Sequence, residues 1–145
     1  MNKWDQRYSS EQFAYGTEPN DFLAEHAHRI PEGPCLCLAD GEGRNGVYLA
    51  TLGHDVTSVD ASKVGLAKAK TLAARKGVEI RTVHSDLADF HFEPATYSGI
   101  VSIFCHLPPD LRRHVHRRCV AALRPNGVFI LEGYTPKQLG RPTGR

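Results

Sequence analysis

The sequence predicts an α/β protein with a doubly wound, mostly parallel sheet, and three observations carry that expectation. Short apolar runs alternate with helix-length segments from residue 35 onward. A glycine-rich turn, Gly41-Glu-Gly43-Arg-Asn-Gly46, follows the first run directly. The second run ends in an acid, Asp60. Turn and acid thus both fall at the carboxyl ends of strands, where parallel sheets bind their ligands.

Taken in order, residues 1–34 form a polar prefix studded with Trp4, Tyr8, Phe13, Tyr15 and Phe22. They are read as a cap segment ahead of one domain spanning 35–145. A helix is expected from Asn20 or Asp21 to His28, after which Pro31-Glu-Gly33-Pro34 turns the chain into the first strand. Strands are expected near 35–39, 55–59, 79–84, 98–104 and 127–133, with helices near 45–52, 62–76 and 109–123. The middle helix has a serine cap at Ser62, an apolar stripe of Leu66, Ala69, Leu72 and Ala73, and a stop at Gly77. The last has Pro109 in its first turn, inward Leu111, Val115, Cys119, Ala122 and Leu123, and Pro125 beyond its end.

A chain of 145 residues suits one domain with a real core. Its 41% hydrophobic and 23% charged residues are those of an ordinary soluble globular protein. A net charge of +2 is too small to imply a nucleic-acid or anionic-membrane partner. No apolar run approaches the ~20 residues of a membrane span. The polar start, Met-Asn-Lys-Trp-Asp-Gln-Arg, lacks a signal region, so a cytoplasmic location is expected. Cys35 and Cys37 alternate with leucines and read as small buried hydrophobes rather than a metal pair. His114 and His116, like His26 and His28, are two apart on a helix and face different ways. No metal is expected.

The unit from 35 to 60 is suited to a nucleoside. Glycines let backbone approach a ligand where a Cβ would collide. The helix beginning near Asn45 points unpaired N–H groups over the turn. Asp60 arrives where a carboxylate can accept both ribose hydroxyls. Taken literally, the turn also satisfies the dinucleotide fingerprint, which leaves an NAD-binding domain as an alternative. Against NAD stand the 34-residue prefix ahead of the first strand and the short distance to the chain's end.

The ordered set of motifs goes further. It comprises Trp4-Asp-Gln-Arg-Tyr8, Tyr15-Gly-Thr-Glu-Pro-Asn-Asp-Phe22, Gly41-Glu-Gly43-Arg-Asn45 and Val59-Asp60-Ala-Ser62. Gly65-Leu-Ala-Lys-Ala69, Ser85-Asp86-Leu87, His106-Leu-Pro-Pro109 and Leu123-Arg-Pro-Asn-Gly127 continue it. This set resembles the class I S-adenosylmethionine-dependent methyltransferases, nearest to the tellurite-resistance and thiol methyltransferase-like group. The resemblance implies a Rossmann-like sheet, S-adenosylmethionine as cofactor and S-adenosylhomocysteine as product. Ala39, Gly41 and Gly43 would lie beneath the methionine moiety, and Asn45 would help fix the turn. Asp60 would bind the ribose, with Ala61 against the adenine. Asp86 and Leu87 would meet the adenine's edge and face. Phe104, Cys105 and His106 would face the methyl acceptor, a small molecule such as a thiol or metalloid oxyanion. Trp4, Tyr8 and Tyr15 would belong to a flexible cap.

The sequence departs from that pattern in three places. Ala39 stands for the first glycine of the turn, and Cys37 for an acidic residue two positions earlier. The resemblance also implies a helix and two strands after the fifth strand, roughly 50 residues more than follow here. The chain is therefore expected to be C-terminally truncated, with Val128-Phe-Ile-Leu131 an exposed edge open to self-association. Binding of the cofactor without turnover is a second reading on that account.

Each site residue also has a plainer reading. His106, the candidate base, titrates near neutrality but would equally serve as a loop histidine hydrogen-bonded to backbone. Asp60 would otherwise cap the next helix, and Asp86 the turn after the third strand. Trp4, Tyr8 and Tyr15 would otherwise pin the prefix by packing. The run Arg112, Arg113, His114, His116, Arg117 and Arg118 is read as a solvated helix face. Glu42 and Arg44 are read as solvated, with no role in chemistry.

Overall fold

The computed structural model describes residues 2–133. Helices α1 (Lys3–Arg7) and α2 (Asp21–His26) and a single 3-10 turn (Ala27–Arg29) precede the first strand, β1 (Pro34–Leu38). There follow α3 (Arg44–Thr51), β2 (Asp55–Asp60), α4 (Lys63–Arg75), β3 (Arg81–His84), β4 (Tyr97–Ile103), α5 (Pro109–Ala122) and β5 (Leu123–Glu132). The five strands form one sheet in the order β3-β2-β1-β4-β5, and every pairing is parallel. The expected α/β class is therefore the observed one. The chain starts at β1, runs outward to β3 and returns on the other side at β4. The strand order thus reverses between β1 and β4, and the β1 turn opens at that point.

Alternation along β1 shows why both faces must be covered. Cys35 and Cys37 point into a core shared with Leu23, Ala27, Ile30, Leu49, Val56 and Ile130. Leu36 and Leu38 point into a second core with Val59, Leu87, Phe92, Ile100, Val115, Cys119 and Ala122. Helices on both faces are what a fully buried parallel strand demands. The α4 stripe is buried as expected, Ser62 Oγ accepts the Gly65 N–H at 3.0 Å, and Gly77 follows the helix at φ +73°.

Three differences from expectation have physical reasons. Helix α1 was not expected; Asn2 caps it by accepting the Asp5 N–H at 2.7 Å, and the rest of its support comes from outside the helix. The helix expected to 28 ends at His26 and tightens into the 3-10 turn. Strand β5 begins at Leu123, not 127, because Leu123 already pairs with Tyr97 before the register jumps to Gly99 opposite Val128. Asn126 absorbs that bulge at φ +68°. Residues 134–145, which follow the fifth strand, lie outside the described residues. Among the described residues β5 is a sheet edge, with Leu131 47% exposed. No described helix is long and apolar enough to cross a membrane.

Leu23 carries α2 into the first core and is fully buried. Leu23→Ala should cost about 2–5 kcal/mol in urea unfolding. A cost near zero would show that α2 is dispensable to the fold.

Candidate nucleoside-binding edge

Beyond β1 the backbone takes left-handed conformations at Ala39 (φ +50°), Gly41 (φ +58°) and Gly43 (φ +89°). Glycine does this freely; an alanine there carries a cost of about 1 kcal/mol. The turn is braced by Asp40, whose carboxylate accepts Ser58 Oγ at 2.7 Å and the Gly46 N–H at 3.3 Å. Part of the α3 N-terminus is thereby used by the protein itself. Burial pushes Asp40 up to about 7 against the pull of those two donors. Sequence reading did not single out Asp40.

Asp60 ends β2 and turns back toward the glycine turn. Its Oδ2 accepts the Gly41 N–H at 2.7 Å, and its Oδ1 accepts the Ser62 N–H at 2.9 Å. Burial raises its pKa, and the backbone N–H groups of Gly41, Ser62 and Ala61 oppose that. These N–H groups use at least two of roughly four acceptor positions and hold the carboxylate in a fixed orientation with acceptor capacity left over. Asp60 is only 7% exposed.

The prefix lies directly on this edge. The Tyr8 ring rests where a Cβ on Gly41 would sit 2.6 Å from its hydroxyl and a Cβ on Gly65 would sit 2.9 Å from its ring. A Cβ on Gly43 would meet that of Ala69 at 2.5 Å, and one on Gly46 would meet Asp40 Oδ2 at 2.5 Å. The room these glycines leave is therefore taken by Tyr8, α4 and Asp40. Burial and the nearby Asp60 carboxylate both push the Tyr8 hydroxyl's pKa up. Trp4 stacks on Tyr8 with centroids 6.0 Å apart. Tyr15 is half-exposed and accepts Arg7 Nη1 at 2.9 Å. Asn2 Nδ2 donates to the Ala61 carbonyl at 3.0 Å, and Asp5 accepts the Ser62 hydroxyl. His84 Nε2 also meets the Ala61 carbonyl, at 2.9 Å.

Glu42 corrects the reading made from sequence. It is 5% exposed, accepts the Ala14 N–H at 2.7 Å and pairs with Lys68. Arg44 is half-buried and reaches the Glu18 carbonyl at 3.5 Å. The Asn45 Oδ1 accepts the Asn20 N–H at 2.8 Å, and Asn20 Nδ2 donates to Glu132 Oε1 at 2.9 Å. Asn45 thus ties the prefix to α3 and, through Asn20, to the end of β5.

At the end of β4, Phe104 is left-handed (φ +49°), and its N–H donates to the Glu132 carbonyl at 2.7 Å. Burial pushes the Cys105 thiol up to about 11, the Asp60 charge adds to it and a bond with Ser102 opposes it. His106 is exposed beside it. Asp86 is exposed and its Oδ1 accepts the Ala88 N–H at 2.9 Å, which is the turn-capping arrangement; Leu87 lies in the second core. Arg112, Arg113, Arg117 and Arg118 are all exposed. Two open grooves, of 630 and 380 Å³, both lined by Gly53 and His54, lie at the opposite, amino-terminal edge of the sheet. The polar groups described above do not converge there.

Comparison with known proteins agrees with this geometry. Residues 35–127 match the family model described as a methyltransferase domain. The glycine/sarcosine N-methyltransferase of Halorhodospira halochloris is 32% identical over 137 residues, covering 89% of this chain and 47% of that protein. The Burkholderia thailandensis 1,6-didemethyltoxoflavin-N1-methyltransferase, solved with bound 1,6-didemethyltoxoflavin and S-adenosylhomocysteine, superposes with a TM-score of 0.63 at 30% identity. That match covers 74% of this chain and 48% of the other. TehB of Haemophilus influenzae, at 22% identity and a TM-score of 0.69, covers 87% of this chain and 42% of its own and shows the fold alone. The chain spans about half the length of the curated relatives it matches.

Two outcomes follow from the turn. Ala39→Gly should raise stability by about 1 kcal/mol in thermal or urea unfolding, by relieving the left-handed alanine. Asp40, raised in the folded state from 3.8 to about 7, holds its proton there while the unfolded chain has lost it. Stability should therefore fall as pH rises across that window, with a slope of up to one proton. Asp40→Asn should flatten the fall, and an unchanged pH profile would remove Asp40 as its source.

Proposed function

The chain belongs to the methyltransferase domain family, and we propose that it binds S-adenosylmethionine at the β1–β2 edge and methylates a small-molecule acceptor. The observation that carries the reading is Asp60, held by the Gly41 and Ser62 N–H groups at the end of β2 with acceptors to spare. Asp60 would take the ribose hydroxyls, Ala61 would lie against the adenine, and Ala39, Gly41 and Gly43 would run beneath the methionine moiety. Asn45 would act through Asn20, keeping the prefix in register with the turn. Asp86 and Leu87 are weaker adenine contacts, since one caps a turn and the other is core.

The bound cofactor supplies a sulfonium methyl group that an aligned nucleophile displaces. The protein's part is alignment and exclusion of water. Phe104, Cys105 and His106 would line the acceptor side, where the strained Phe104 backbone aims the segment after β4. His106 would take a proton from the acceptor. Trp4, Tyr8 and Tyr15 would cap the site. For the acceptor we propose a soft nucleophile, a thiol or metalloid oxyanion, on the resemblance of the prefix and the His106-Leu-Pro-Pro109 segment. Nothing among the described residues favours NAD. The β5 edge, with Leu131 exposed, is the proposed surface for self-association.

Calorimetric titration with S-adenosylhomocysteine, with NAD as control, tests the cofactor. Selective S-adenosylhomocysteine binding is expected, weakened roughly 10- to 100-fold by Asp60→Asn, which blunts charge-assisted bonds to the ribose. Equal affinity in the variant would sink the ribose assignment. Binding by a chain that methylates no thiol or oxyanion in an acceptor screen would select the reading without turnover.

A further inference from the structure

One face of α4 is built to receive the prefix. Ser62, Gly65 and Lys68 recur at three-residue spacing and meet Asp5, Tyr8 and the 8–12 segment in the same order. Lys68 is the hub. Its ammonium donates to the backbone carbonyls of Gln12 at 2.5 Å, Ser10 at 2.7 Å and Tyr8 at 3.3 Å. It also pairs with Glu42 in the glycine turn and lies 4.9 Å from the centroid of the Phe13 ring. Four oxygens thus surround one ammonium, whose three hydrogens can turn to the three carbonyls while its charge meets the carboxylate; a planar guanidinium cannot match that set.

Glu42 closes the circuit. Its Oε1 takes the Ala14 N–H, while its Oε2 has no hydrogen-bond partner and is met by the Lys68 charge alone. The side chains are 15% and 4% exposed, so the pair is screened little by water. One interaction therefore fastens the turn beneath the site, the helix beside it and residues 8–14 above it. Tyr8, held within that segment, is the group over Gly41 and beside Asp60.

We propose that Lys68, paired with Glu42, is the positioning residue that clasps the prefix over the nucleoside edge, and that cofactor enters and leaves by release of this clasp. The inference rests on the cofactor reading given above for its ligand, but not for the clasp itself. Breaking the pair frees residues 8–14, lets Tyr8 swing off Gly41 and opens Asp60. Re-forming it shuts water out.

The chain's one tryptophan, Trp4, stacks on Tyr8 and so reports the prefix directly. Lys68→Met removes the ammonium and keeps the aliphatic stem. In the ligand-free protein it should make Trp4 markedly more quenchable by acrylamide, with the far-UV dichroism unchanged. In stopped-flow mixing it should speed both association and dissociation of S-adenosylhomocysteine by roughly tenfold, the effect of losing charge-assisted bonds. Because Lys68→Met leaves Glu42 buried without its partner, Lys68→Met/Glu42→Gln serves as the second variant and should open the prefix in the same way. Wild-type quenching and wild-type rates in a folded variant would overturn the proposal. So would a shared loss of melting temperature with no change in either readout. Failure of wild type to bind S-adenosylhomocysteine would overturn cofactor gating and the cofactor reading together, while the quenching result would still decide whether Lys68 holds the prefix.

Discussion

The set of left-handed conformations at Ala39, Gly41 and Gly43 is the constraint on which the rest of this edge depends. It lets β1 stop abruptly and sends the chain into α3 through the short turn at 39–43. It also aims the Gly41 N–H at Asp60 and places Glu42 facing α4 rather than solvent. Had the turn been extended, the carboxyl ends of β1 and β2 would carry no common ligand surface. The conformation is paid for by local strain at Ala39 and held by Asp40 bridging to β2 and α3.

Three acids, Asp40, Glu42 and Asp60, converge within this small region, and each is accommodated differently. Asp40 is buried among weak donors and shifts toward its neutral form. Glu42 keeps a cation for itself. Asp60 is stabilised by backbone N–H groups, which orient a carboxylate without neutralising it. Burial still raises the Asp60 pKa against those N–H groups, and the acceptors left on its carboxylate make it the residue we propose for ligand binding. The others serve the frame.

Much of this was legible in the sequence because it depends on local pattern. Alternation of apolar runs and helical stripes specifies the strands and the α4 and α5 faces. Gly41, Gly43 and Asp60 stand out by spacing alone. What escaped sequence reading depends on distant partners. Glu42 sits in a polar turn and reads as solvated, yet it meets Lys68, 26 residues on, and Ala14, 28 residues back. Helix α1 is five residues long, too short to announce itself, and stands on contacts with Ala61, Ser62 and Val64. The bulge that starts β5 early arises from register with β4, which no local signal encodes.

The prefix is therefore packed into this edge and not an accessory to it. Glycines that ordinarily leave space for a ligand's backbone contacts leave it here for Tyr8, and the N–H groups near the α4 start are met by Ser62 and Asp5. Any nucleoside must compete with contacts the protein already makes to itself. Binding then includes the cost of displacing them, and affinity is set by the difference, not by the ligand's own contacts. Such an edge resists water and adventitious anions while closed. On the proposed reading, the clasp at Lys68 also sets how fast a cofactor enters and leaves.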